Sequence, residues 1–410
     1  MEYPKVYLTL DNCFAIKRWV SPKEWVPLIQ NMGFTSVQAS FDNEIDFLYS
    51  PDWYLDQWFE ELEEQEKCST IKVDTFFTGY QTYRTAGLGH PNDQMADYLM
   101  EEWVKKAIRR LGKRGSHMGM SFFAIPDNIL QDPDQYKIYR KKIIKRLREI
   151  GRCAEDNGIY FCIEAMYAPH QPPWTIAGAK RFLIDCAKGG NSPVYLTIDV
   201  GHMIGQKKFQ MPLKEELAES IRNPGVMQKE HNWWLGAVHT LELWKNAVKN
   251  KDVSEKTLCL MAEDMRRYPY LFSDGEADWN PYRWLEEMGC YSPIIHLQQT
   301  DGIEASHTAF TDKNNKKGII EGEKLLRSIA KSYEKALDGG MPDKCNKIYL
   351  AFEIFAGNTE YREDIIEKLM ETLAYWKQFV PNNGIRLNEL LDRLDRKAEK
   401  SNEGICNGQE

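Results

Sequence analysis

Short apolar runs that end in polar residues recur along the chain, and each is followed by a longer segment with helical spacing. A strand followed by a helix, repeated, predicts a parallel sheet. Eight such units predict a (β/α)₈ TIM barrel, and most of the runs are uniformly apolar, as expected for strands that are covered on both faces. The predicted strands are Val6–Leu10, Ser36–Phe41, Ile71–Phe76, His117–Phe122, Ile159–Glu164, Val194–Asp199, Ile294–Gln298 and Ile348–Glu353.

Helical spacing is clearest before the fifth of these strands. Between residues 136 and 154 apolar side chains recur at steps of three and four, and Asn157-Gly158 then provides a helix stop. The same spacing predicts helices over Met95–Leu111 and Ile365–Val380. These segments supply the helical half of the predicted βα units.

The gap between the sixth and seventh predicted strands is much longer than the about 30 residues that a βα unit needs. We therefore predict one TIM-barrel domain over residues 1–390, with a helical insertion at about 205–285 that covers the pocket. Each tryptophan of the insertion, taken singly, is expected to pack within it rather than to contact substrate. Residues 391–410 lose apolar content and are predicted to form a flexible C-terminal tail.

Composition narrows the class of protein. The 410 residues carry 53 basic and 61 acidic side chains, and the net charge of −8 gives no broad attraction for a phosphate backbone, which weighs against a nucleic-acid partner. The N-terminal residues lack the pattern of a signal peptide, and no long apolar stretch predicts a membrane partner. The nine cysteines form no CxxC pair and are expected to be reduced thiols. The sequence is typical of a soluble cytoplasmic protein.

Four of the later predicted strands end in residues that bind divalent cations, namely Glu164, Asp199, His296 and Glu353. In a TIM barrel the active site lies at this carboxyl end of the strands. Each residue alone has an ordinary explanation, since a strand-end carboxylate often caps the next helix or pairs with a lysine. All four together interrupt apolar strands, where unpaired charge is costly, and one shared cation accounts for the set. The mixed oxygen and nitrogen ligands favour Mn²⁺, with Mg²⁺, Co²⁺ and Zn²⁺ as alternatives.

The motifs IEAMYAP, IDVGH, IIHLQQTDG and FEIFAG occur in this order and resemble the xylose isomerase-like TIM-barrel family over about residues 1–200 and 290–380. That family includes sugar and sugar-phosphate isomerases, ketose 3-epimerases, inosose dehydratases and the endonuclease IV group. The resemblance implies that Glu164, Asp199, His296 and Glu353 hold the metal and that His202 orients the substrate. It also implies that the two glutamates are the catalytic acid/base pair.

The resemblance implies an isomerase or epimerase that acts on a small sugar, sugar phosphate or sugar acid. Such an enzyme transfers a proton between adjacent carbons through a metal-bound enediolate. A lyase or dehydratase that uses the same enediolate is the first alternative. A barrel that binds sugar without catalysis is the second. Members of the family also form homo-oligomers, so the same assembly is an expectation for this chain.

Departures from the family pattern limit the substrate. His170 and Gly302 stand where ketose 3-epimerases usually keep a glutamate and an arginine, which weighs against a free-ketohexose 3-epimerase. The further histidines and aspartates of endonuclease IV are also missing, which weighs against DNA repair. The candidates for substrate contact are His90, His117, His170, His202 and His307, and Arg18 and Arg84 are candidates for binding a phosphate or carboxylate.

Overall fold

Eight parallel strands form a closed sheet, because the first strand pairs with both the second and the eighth. The computed structural model describes residues 2–78, 85–121, 124–188, 194–225, 233–336 and 339–406, with side chains up to residue 399. The strands follow one another around the barrel in chain order, so the predicted (β/α)₈ barrel is confirmed. They are β1 (Lys5–Asp11), β2 (Ser36–Ser40), β3 (Lys72–Thr78), β4 (His117–Met120), β5 (Phe161–Ala165), β6 (Tyr195–Asp199), β7 (Ile294–Leu297) and β8 (Lys347–Phe352).

Helices cover the outside of the barrel because they have apolar faces to bury, as the longest helix shows. Asp132 caps the N-terminus of helix Pro133–Asp156, whose apolar face, including Ile143, Leu147 and Ile150, is buried. Among the described residues, no helix combines the length and the hydrophobicity that crossing a membrane requires. The other helices between strands are Pro22–Asn31, Asp52–Cys68, Asp93–Leu99, which continues through a π-helical turn at Met100–Lys105 into Lys106–Gly112, Asp127–Leu130, Ile176–Ala187, Pro281–Met288, Asp312–Asn315, Gly322–Glu334 and Arg362–Lys377.

The long connection between β6 and β7 contains helices of its own. A 3₁₀ segment, His202–Phe209, leads to the helices Lys214–Arg222, Val238–Asn250 and Glu255–Arg266. Side-chain hydrogen bonds join these three helices, since the Trp244 indole donates to Ser220 Oγ and Thr240 Oγ1 donates to Asp264 Oδ2. Helix Pro281–Met288 packs against the barrel helix Gly322–Glu334 and belongs to the barrel. The inserted segment therefore ends near residue 280, a few residues before the predicted boundary at 285.

The C-terminal segment returns to the amino end of the barrel. A short strand, β9 (Ile385–Arg386), pairs antiparallel with the start of β1. Helix Leu387–Cys406 follows, and its Leu390 and Leu394 are buried against the core. The predicted boundary of a tail at residue 391 thus falls inside a helix, because the leucines recur with helical spacing beyond it.

His117 is the first residue of β4, at the amino end of the barrel and opposite the strand ends that carry the predicted metal ligands. Its Nδ1 accepts a hydrogen bond of 3.1 Å from the Tyr160 backbone N–H, and its ring packs against Tyr160 at 4.7 Å. Burial, with a smaller effect of nearby Lys347, lowers the His117 pKa to about 4. The structure therefore does not bring His117 to the predicted metal ligands, because β4 begins rather than ends at this residue.

The lowered pKa of His117 predicts a pH dependence of stability. The folded protein binds fewer protons here than the unfolded chain between pH 4 and 6.5, so the stabilisation is present above 6.5 and is lost as the pH falls towards 4. We expect this loss to reach about 2 kcal/mol, discounted because the ring is partly exposed. His117→Asn, whose side-chain oxygen can accept the Tyr160 hydrogen bond, should flatten the dependence of the urea midpoint on pH in this window. If the urea midpoint of the variant still fell with pH as steeply as that of the unaltered protein, His117 would not be the group responsible.

Candidate metal centre

Strand register brings the four predicted ligands to one place. Asp199 and His296 are register partners on the neighbouring strands β6 and β7. Glu164 lies one strand earlier in β5, and Glu353 directly follows β8, where its backbone N–H donates to the Leu297 carbonyl at 3.1 Å. Parallel strands end on the same side of the sheet, so all four side chains lie at the carboxyl end of the barrel.

The four side chains lie close enough together to hold one ion. One potential ligand atom from each of Glu164, Asp199, His296 and Glu353 lies within 4.8 Å of all the others. His296 is central, since its Nδ1 lies 3.1 Å from Glu353 Oε2 and 3.5 Å from Glu164 Oε1. His296 and Asp199 are fully buried, and Glu164 is 4% exposed. Charged groups this deep need a partner of opposite charge.

The residues present fit a divalent cation. His296 Nδ1 and Glu353 Oε2 are buried and lie 3.1 Å apart, and among the described residues neither atom has a hydrogen bond of good geometry. In that same part, no lysine or arginine pairs with Glu164, Asp199 or Glu353, whose only ion-pair partners are histidines. Two glutamates, an aspartate and an imidazole are ligands that Mn²⁺, Mg²⁺ and Zn²⁺ all accept. A bound cation would coordinate these buried atoms and neutralise the carboxylates that no lysine or arginine neutralises in the described part of the chain.

The electrostatics of the cluster are those of a cation site. Burial alone would lower the pKa of His296, but the carboxylates of Glu353 and Glu164 raise it well above its usual range. Burial alone would raise the pKa of Glu353, yet the adjacent His296 and His307 hold it below its usual range. Asp11, at the end of β1, has its pKa raised to about 6 by burial and by the charge of Glu353. The cluster therefore favours positive charge at its centre and disfavours further negative charge beside it.

Two glutamine side chains hold the ligands in place. The Gln38 amide hydrogen-bonds to Asp11 and lies 2.9 Å from His296 Nε2, on the ring edge opposite Nδ1. The Gln298 amide donates to both oxygens of Asp199, at 2.8 and 3.0 Å, and its oxygen accepts from the His307 backbone N–H at 2.6 Å. Such contacts fix the orientation of ligands. Sequence reasoning missed both roles, although each glutamine is a polar residue in or directly after an apolar strand.

Two of the histidines proposed for substrate contact lie beside this cluster. His202 Nε2 is 3.6 Å from Asp199 Oδ2, and its Nδ1 is 3.7 Å from Glu164 Oε1. His307 Nδ1 is 3.6 Å from Glu353 Oε2, and the ring stacks on Phe355 at 4.2 Å. His307 has a positive φ of 46°, a conformation that is uncommon outside glycine and that recurs at functional sites.

The other candidates are not brought to the cluster. His90 Nδ1 accepts from the Asn92 backbone N–H in a surface turn, and the exposed His170 interacts with the Ile125 carbonyl oxygen. The Arg18 guanidinium donates to the carbonyl oxygens of Glu360 and Gly357, at 2.9 and 2.5 Å, so it supports the loop after β8 instead of a free anion. Arg84 lies outside the described residues.

A cavity of about 1180 Å³ opens above the cluster. Its floor includes Asp11, Glu164, His202, His307 and Glu353. One wall comes from the start of the insertion, between Ile204 and Glu216, together with Trp233 and Trp234, whereas none of the residues described as lining the cavity comes from the helices Val238–Asn250 and Glu255–Arg266. The segments of the insertion nearest β6 therefore shape the pocket.

Comparison with known proteins agrees with this architecture. A sequence profile of the xylose isomerase-like TIM barrel family matches residues 26–250, which is more than half of the chain, so the protein belongs to this family. A D-erythrulose 1-phosphate 3-epimerase from Brucella abortus is 33% identical over 99 residues, which make up 24% of this chain and only 29% of that enzyme.

Solved structures show the same fold. A proposed xylose isomerase from Rhodospirillum rubrum superposes with a TM-score of 0.62 and 16% identity, over 91% of this chain and 99% of that one. The D-psicose 3-epimerase from Clostridium cellulolyticum gives a TM-score of 0.53 and 12% identity, over 91% and 98%. At these identities the likeness concerns the fold alone.

The geometry predicts that a divalent cation stabilises the protein. Adding Mn²⁺ to chelator-treated protein should raise the melting temperature, because at a free concentration of 100 times Kd a ligand of the folded state adds about 2.7 kcal/mol. Glu353→Gln, which removes a charged ligand, should need a much higher Mn²⁺ concentration for the same shift. The matched control is Glu304→Gln at the exposed rim of the same cavity, which should respond like the unaltered protein. Equal shifts in both variants would exclude Glu353 as a ligand.

Proposed function

We propose that the protein is a divalent-metal-dependent sugar isomerase or epimerase that moves a proton between adjacent carbons through an enediolate. The observation that carries this proposal is the cluster of Glu164, Asp199, His296 and Glu353, two of which, Glu164 and Glu353, line one large cavity. Family membership and the epimerase relative support the same class of reaction. The substrate class is a small carbohydrate, either free or with an acidic group.

The two glutamates suit the roles of acid and base. Both line the cavity, and both approach the same His296 nitrogen, at 3.1 and 3.5 Å, so the two carboxylates border one point. His296 and His307 lower the pKa of Glu353 and keep its carboxylate ionised, which is the state that a general base requires. Glu164 is then the group that returns or removes a proton on the other side.

A cation held by the four ligands would supply Lewis-acid chemistry, polarising the carbonyl and stabilising the charge that develops on oxygen. His202 and His307 lie beside the ligands and offer ring nitrogens to substrate hydroxyl groups. Gln298 hydrogen-bonds both to Asp199 and to the His307 backbone. Asp199 and His307 are therefore held in position before substrate binds.

Hydrogen exchange from solvent tests the proposal. The Mn²⁺-loaded protein is incubated in D₂O with a panel of ketoses, aldoses and their phosphates. We expect deuterium at a carbon beside the carbonyl of at least one sugar, because the proton taken up by a glutamate exchanges with solvent. Glu164→Gln and Glu353→Gln should each lower this exchange by about 100-fold or more, which is typical for loss of general acid or base catalysis.

The same panel separates the alternatives. Glu304→Gln serves as the matched control and should keep the exchange rate, because this carboxylate lies at the exposed rim of the cavity. A product lighter by one water would instead support the lyase or dehydratase. The absence of exchange in every sugar, with the fold intact, would leave a non-catalytic sugar-binding barrel.

A further inference from the structure

We propose that the natural substrate is a two-ring carbohydrate, a keto sugar whose linked second sugar packs against the tryptophans of the insertion. This inference rests on the proposed function and specifies its substrate. The cavity of about 1180 Å³ exceeds the range of about 300–1,000 Å³ that is usual for drug-sized ligands, which are themselves larger than a hexose. A single keto sugar would leave much of the cavity filled with water.

The aromatic side chains of the cavity fall into two groups. The first surrounds the metal ligands, where Phe355 stacks on His307 and Tyr167 meets the His202 ring edge to face at 5.1 Å. The second is the pair Trp233 and Trp234 in the insertion. Among the described residues no ring contact joins the two groups. Two separate aromatic surfaces fit two sugar rings better than one.

Trp234 is held as a fixed surface. Its indole N–H donates to the Leu271 carbonyl at 2.7 Å, and its ring meets Phe209 edge to face at 5.3 Å. Phe209 in turn packs against Trp174 at 5.3 Å, after the end of β5. The tryptophan is therefore anchored from both the insertion and the barrel, although part of its surface is exposed. A rigid, half-exposed aromatic ring can bury the apolar face of a sugar at little entropic cost.

The charges of the cavity favour a neutral second ring. The described lining contains six carboxyl groups and two lysines, Lys207 and Lys208. Both lysines are exposed on the 3₁₀ segment, and the exposed Glu216 and Glu304 lie at the same rim. With a divalent cation on Glu164 and Glu353, the four remaining carboxyl groups still outnumber the two lysines, so the lining offers a phosphate dianion no net attraction. A sugar with hydroxyl groups alone carries no such penalty.

Sugars of matched structure test the inference. The Mn²⁺-loaded protein is assayed for deuterium uptake from D₂O with D-fructose, with D-fructose 6-phosphate, and with keto-disaccharides that carry glucose or galactose on the fructose unit (isomaltulose and lactulose). We expect kcat/KM for at least one disaccharide to exceed that for D-fructose by about tenfold or more, the gain that a well-packed extra group typically provides. Trp234→Ala should remove this advantage mainly by raising KM for the disaccharide.

Control variants and a binding measurement separate the contact with the second sugar ring from effects on folding or catalysis. Trp53→Ala, at a tryptophan that is 69% exposed and lies outside the cavity, should keep the disaccharide advantage. Trp233→Ala and Trp234→Phe are the second variants in case Trp234→Ala does not fold. Calorimetric titration with maltitol and sorbitol, a glucosyl alditol and its parent that cannot enolise, should show tighter binding of maltitol to the Mn²⁺-loaded protein and loss of the difference in Trp234→Ala.

The outcomes separate this inference from the proposed function. Deuterium in monosaccharides with no disaccharide advantage in rate or binding would overturn the inference alone, as would an advantage that survives both tryptophan variants. Faster turnover of D-fructose 6-phosphate than of any neutral disaccharide would also overturn it. No deuterium in any sugar would overturn the proposed function, and the calorimetric comparison would then still decide whether the tryptophans bind a second ring.

Discussion

Three carboxylates and one imidazole meet at the end of the barrel without a lysine or arginine partner among the described residues. Like charges packed this closely oppose folding unless a cation separates them, so this cluster is the constraint on which the rest of the site depends. The surrounding residues do not neutralise this charge. Gln38 and Gln298 contact the cluster with neutral amides, where a basic side chain would neutralise it. Neutral partners orient the ligands and leave their charge available.

Strand register brings the side chains of this cluster together. Asp199 and His296 are direct partners across β6 and β7, and Glu353 is tied to the end of β7 through the Leu297 carbonyl. A shift by one residue would turn each ligand towards the helices, because side chains alternate between the two faces of a strand. The apolar runs that identify the strands in the sequence therefore also fix the geometry of the metal ligands.

Much of the barrel and of the cluster could be predicted from the sequence for this reason. Strands end where apolar runs end, and Glu164, Asp199, His296 and Glu353 stand at those ends. His117 does not follow this rule, because both the predicted strand His117–Phe122 and the observed β4 begin at this residue, at the amino end of the barrel. The roles of Gln38 and Gln298 and the stacking of His307 on Phe355 depend on contacts across strands and loops, which spacing along one chain does not show.

The departures from the ketose epimerase pattern and the insertion have a common structural consequence. Gly302, at a position where ketose 3-epimerases usually keep an arginine, lines the cavity without a side chain, whereas His170 points to the Ile125 carbonyl and does not line it. The absence of a side chain at Gly302 leaves this part of the cavity open. The insertion supplies another part of the lining through Trp233 and Trp234. The proposed metal ligands stand in or directly after strands, whereas Gly302, Trp233 and Trp234 stand in loops, so the walls of the pocket can change without moving the ligands.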